Sequence, residues 1–94
     1  MKIIGLKLIN GQDIIGRVVE EKDTVFVLQQ IRSLIAQPGS QGVQIAMPPW
    51  SFLSIDAEFE IPVSSVCGAV ETLGGEIERA YIQSTSSLDL SGIS

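Results

Sequence analysis

A chain of 94 residues with one cysteine, no histidine and a formal net charge of -5 lacks the usual staples of a small fold. Cys67 has no partner for a disulfide, and the absence of histidine and of a second thiol argues against a structural zinc site. Six Lys/Arg against eleven Asp/Glu argue against a broad phosphate-binding surface, and no apolar run approaches the length of a membrane span.

The predicted elements run as follows. Residues 3 to 9, "IIGLKLI", read as a strand with Lys7 facing out. Asn10-Gly11 is a strong hairpin signal of type I′, whose two central residues need positive φ. "DIIGRVVEE" is the return strand, "EKD" a polar turn and "TVFVLQQIRSLIA" a third, longer strand. "QPGSQG" at 37 to 42 reads as a loop, and "VQIAM" as further strand that "PPW" interrupts. "AEFEI" and "SSVCGAV" read as short strands with "PVSS" bending between them. After Gly74-Gly75 the period becomes helical. One short helix of about 75–83 is expected to dock through Ile77, Ala80 and Tyr81, with 84–94 as a Ser-rich mobile tail. Apolar residues form 45% of the chain, high for a domain this small, and oligomerisation is the remaining device for stabilising it.

Gly16 falls inside the second strand. A glycine there marks a bend, a bulge or a close backbone approach, and a small closed sheet needs one strongly bent strand.

The stretch "LINGQDIIGRVVEEKDTVFVLQQ" resembles the first conserved motif of the Sm-like proteins, the family that includes the bacterial RNA chaperone Hfq. The matching elements are Asn10-Gly11 after an apolar strand, Ile14, Gly16, an acidic turn ending at Asp23, and the apolar run Val25 to Leu28. "IPVSSVCGAV" stands where the family has its second motif, and the middle of the chain reads as an enlarged hairpin. The chain is also similar to small Sm-like open reading frames of bacteriophages, which share a C-terminal helix and a Pro-aromatic element.

The resemblance implies an all-β fold: a five-stranded, strongly bent antiparallel Sm-like (SH3-like) barrel over residues 1–83, including the C-terminal helix. It also implies ring assembly, with the fourth strand of one subunit pairing with the fifth of the next, and single-stranded RNA at the pore. The pore positions implied are Lys22, Asp23 and Thr24 in one turn, and Val63, Ser64 and Ser65 in the other. Three departures stand out. The chain opens with a strand where the family opens with a helix. No asparagine follows Asp23. Pro62-Val63-Ser64-Ser65 replaces the basic residues of the second motif, so any pore is weakly basic.

Other candidates read more plainly. Asp56, Glu58 and Glu60 share one strand face, as a solvated face or as ligands for a hard cation. Pro48-Pro49-Trp50 with Phe52 fits a cover over apolar residues or a stacking platform. Cys67 reads as a small buried residue. No catalytic constellation or phosphate loop is present, so a non-enzyme without cofactor or metal is expected. The partners expected are the chain itself and, as the resemblance implies, single-stranded RNA, with no membrane. A lone thiol and no export signal suggest the cytoplasm, a host cytoplasm if the chain is phage-encoded. The rival is a structural or protein-interaction ring that has lost nucleic-acid binding. Where Lys2, Lys7, Arg17, Lys22, Arg32 and Arg79 lie discriminates the two.

Overall fold

The computed structural model describes residues 2–40, 42–51 and 57–93, with 86–93 described by their backbone. Alternation builds its first strand: in β1 (Ile3–Leu8), Ile4, Leu6 and Leu8 are buried and Lys7 is exposed. The hairpin that follows differs from the two-residue turn expected. Gly11 has a φ of 91° but Asn10 does not lie at positive φ. The Gly11 N–H donates to the Leu8 carbonyl (2.9 Å) and the Leu8 N–H to the Gln12 carbonyl (2.8 Å). This is a three-residue loop with glycine in the left-handed position. The cause lies outside the hairpin: the Ile9 N–H is committed to the Ser65 carbonyl at 2.9 Å.

β2 (Asp13–Glu21) pairs with both β1 and β3 (Val25–Gly39), all antiparallel. The β2–β3 register breaks between Ile15 and Arg17, opposite Gln30 and Ile31, and Gln30 takes a left-handed φ of 54°. Gly16 sits at that break. A Cβ there would lie 3.3 Å from both Leu28 Cβ and Ile31 Cγ1, so close strand approach, not backbone angle, is what favours glycine.

β3 serves two further neighbours. Val25–Gln29 pair with β5 (Glu58–Pro62), and Ile35–Gly39 pair with β4 (Gly42–Ala46). The sheet thus has six strands in place of the expected five, in the order β4-β3-β2-β1-β6 with β5 also on β3. Pro48 and Pro49, which lack an N–H, follow β4 and keep it separate from β5. The expected loop at 37–42 is mostly strand, because β3 runs to Gly39 and β4 begins at Gly42. A 3-10 turn, Val63–Ser65, joins β5 directly to β6 (Val66–Val70), which pairs with β1. No ladder joins β5 to β6 among the described residues, so the sheet is open there.

α1 (Gly75–Ile93) runs to Ile93 where a helix of about 75–83 and a mobile tail were expected. Ser84 and Thr85 do not break it, because their hydroxyls donate to the Tyr81 carbonyl at 2.9 and 3.1 Å.

Ile4, Leu6, Leu8, Ile14, Leu28, Ile31 and Ile61 form the core, bordered by Phe26, Trp50 and Phe59. Residues directly opposite in an antiparallel pair share a face. Ile15 opposite Arg32, and Arg17 opposite Gln29, therefore lie on the other face, outside that core. There α1 lays down Tyr81 and Thr85, both fully buried. The Tyr81 hydroxyl donates to the Gln30 carbonyl (2.8 Å), and Arg17 Nη2 donates to Thr85 Oγ1 (3.2 Å). Of the docking residues expected, Tyr81 is buried, Ile77 half-buried and Ala80 exposed.

Candidate functional site

The two short turns singled out in the sequence meet. In the β2–β3 turn the Lys22 N–H donates to the Val25 carbonyl (3.0 Å), which holds Asp23 and Thr24 at the tip. The Val63 N–H then donates to the Thr24 carbonyl (2.9 Å), continuing the Val25↔Pro62 register into the 3-10 turn. Two residues on, Ser65 accepts from Ile9. Lys22, Asp23, Thr24, Val63 and Ser64 are exposed, and Ser65 is half-buried.

None of these six side chains takes part in a hydrogen bond or ion pair among the described residues. Asp23, Ser64 and Ser65 thus do not turn back onto their own backbone, as such residues often do in turns. The Asp23 carboxylate, the Ser64 hydroxyl and the Lys22 amine are exposed along one short rim, with Ser65 half-buried beside them.

The positive charges are not gathered there. Lys2 is bridged to Glu21 (2.7 Å) and Glu71 (2.8 Å), and Lys7 to Asp13 (2.8 Å). Hydrogen bonds to those carboxylates raise both lysine pKa values above the ordinary range. Arg17 and Arg32 lie on the face that α1 covers, and Arg79 is exposed on α1. Of the six basic residues only Lys22 stands in the turn cluster. Burial pushes the Tyr81 phenol above its usual value near 10, against the opposing pull of Arg17 and then Arg32.

The remaining candidates fall as follows. Trp50 packs edge-to-face on Phe59 (5.4 Å, 82°) against the core, and its Nε1 donates to Gln12 Oε1 at 3.4 Å. It is a core cover, not an open stacking platform. Phe52 and Asp56 lie outside the described residues, while Glu58 and Glu60 are exposed on β5. Cys67 is exposed, contrary to expectation, because β6 turns part of its surface away from the core. Sequence reasoning missed the pair Arg17–Arg32, whose placement depends on the register break at Gly16. It also missed an apolar groove of about 440 Å³ between β1, β2, β6 and the start of α1. Gly5 and Gly68 open that groove, and Val70, Leu73 and Ile77 line it.

Among the described residues, no group of three or more Cys, Asp or Glu could hold a metal ion, and no helix is long and apolar enough to cross a membrane. No protein-family model and no curated protein matches the chain.

Proposed function

We propose that this chain is a non-enzymatic, self-assembling module on a small Sm-like (SH3-like) barrel, whose role is structural or protein-interacting. The observation that carries the barrel is the pair of bonds made by the 3-10 turn. Val63 and Ser65, two residues apart, bond to Thr24 and Ile9, which flank opposite ends of β2. A straight strand of nine residues spans about 30 Å. β2 must therefore curl to bring both flanks to one short turn, and the register break at Gly16 gives it a place to do so.

Self-assembly rests on the edges. β6 reads VCGAV, carries no charge and, among the described residues, pairs with β1 alone. Such an edge is a template for another chain. The outer edge of a neighbour's β5 complements it, and the apolar groove beside β6 would be covered in the same contact. A head-to-tail contact of this kind closes into a ring or grows into a fibre. Light scattering of the purified chain should give a mass several times 10.1 kDa, and a stable monomer across the micromolar range would sink the assembly.

A second reading, single-stranded RNA at the rim, is favoured by the side chains of Lys22, Asp23, Thr24, Ser64 and Ser65, which have no partner within the described chain and so are open to a ligand. Hydroxyl and carboxylate groups on a rim can hydrogen-bond exposed base edges. The dispersal of the other basic residues weighs against it. Titration with short oligo-U and oligo-A RNA at low and physiological salt decides. Saturable binding that Lys22→Ala weakens would favour RNA; no binding at low salt would leave the structural role.

A further inference from the structure

We propose that Arg32 anchors a binding site for a small oxyanion, held by its Nε and Nη2 hydrogens on the face beneath α1. Arg32 is 4% exposed, yet neither nitrogen has a hydrogen-bond partner. Among the described residues no carboxylate pairs with it. Those two nitrogens share one edge of the planar guanidinium. That edge takes the two oxygens of a carboxylate, or two oxygens of a phosphate, in parallel hydrogen bonds. What is unmet is therefore a complete bidentate fork, not a stray donor.

The backbone does not let Arg32 escape to water. It pairs with Ile15 on one side and bridges Pro49 on the other. The flanking Ser33 N–H donates to the Pro48 carbonyl (2.9 Å), and the Trp50 N–H to the Ile31 carbonyl (3.0 Å). A charge held this way without a counter-ion is among the costliest arrangements in a folded interior. Arg17 adds a second guanidinium on the same face, tied to Thr85. Arg17 and Arg32 both oppose the burial-driven rise of the Tyr81 pKa, as positive charges on the face where Tyr81 is buried would. Two guanidiniums on one face suit an anion and repel a cation, and with the Tyr81 and Thr85 hydroxyls committed to backbone carbonyls Arg32 supplies free donors. The depth beneath α1 selects a small free ion over the backbone phosphate of a polymer. The inference uses nothing of the rim at Lys22 and Ser64, so it stands or falls apart from that reading.

The test is thermal melting of the full chain at fixed ionic strength, with chloride, inorganic phosphate or acetate as the probe. Phosphate or acetate should raise the midpoint progressively with concentration, as ligands that bind only the native state do, and chloride should not. Arg32→Met should melt at or above the wild-type temperature in chloride, having lost an uncompensated charge, and should ignore the probes. Arg32→Lys keeps the charge but loses the fork, so its response should need roughly tenfold more anion. Three results would each overturn the site. One is a wild-type midpoint that is the same in all three salts. Another is an Arg32→Met variant that responds as the wild type does. The third is an Arg32→Met variant that melts well below wild type in chloride, since Arg32 would then already be paired within the chain.

Discussion

The two faces of this sheet are finished in different ways. The inner face is closed by aliphatic side chains from β1, β2, β3 and β5, with Leu28 and Ile14 at or near zero exposure. The outer face is closed by one helix, largely through polar groups: Tyr81 on the Gln30 carbonyl, and Thr85 on Arg17. A single copy completes the first face. On the second it leaves a buried guanidinium edge on β3 unmatched, and beyond β2 and β1 in the sheet β6 presents an uncharged edge.

Substitutions can break or sharpen that contrast. Leu28→Ala, deep in the inner face, should cost about 3 kcal/mol in urea unfolding, because the cavity is bounded by strands that cannot collapse. A loss below about 1 kcal/mol would mean that the inner face is not the main store of stability. Gly16→Val pushes a branched side chain against Leu28 and Ile31, where even a Cβ sits at 3.3 Å. A loss of about 2 to 3 kcal/mol is expected. Wild-type stability in that variant would remove the close approach at the register break.

Tyr81→Phe probes the outer face. Leaving the Gln30 carbonyl unpaired should cost about 1 to 2 kcal/mol near neutral pH. Burial raises the Tyr81 pKa, so the folded state holds this proton where the unfolded chain has lost it. Its contribution is complete below the ordinary phenol value near 10 and disappears as pH rises through the folded value. Tyr81 is the only tyrosine, so its phenolate absorbance reports this group alone. The wild type should lose stability above pH 10 faster than Tyr81→Phe; parallel curves would mean the phenol is not buried in solution. The smallest effect belongs to Ala80→Arg, expected to stay within about 0.5 kcal/mol because Ala80 is exposed. A large loss there would restore the docking face expected from helical spacing.

The inner face was legible because period-two alternation in "IIGLKL" and a glycine inside "DIIGRVV" are local signals. The division of labour along β3 was not. Which half of a long strand pairs with which neighbour depends on contacts far apart in sequence, so the VQIAM segment, read as further strand before PPW, was not counted as a strand of its own and the reading stopped at five. The Asn10-Gly11 turn was misread for a similar reason, since Ile9 spends its N–H on Ser65. The helix was cut short because Ser and Thr are poor helix formers in general, yet Ser84 and Thr85 satisfy their hydroxyls on the Tyr81 carbonyl within it. Of the candidate site, the adjacency of the two turns was implied by family resemblance. The partnerless state of its side chains, and the buried arginines, could be seen only in three dimensions.

The central claim is that other copies of this chain complete its open edges. Amide hydrogen exchange of β6, compared between dilute and concentrated protein, tests it most directly. Those β6 amides that do not face β1 should be slowed at concentrations where light scattering reports an oligomer, and should exchange quickly in the dilute sample. If they exchange at the rate of an unpaired edge at every concentration, β6 is not the joining strand and the self-assembling module is contradicted.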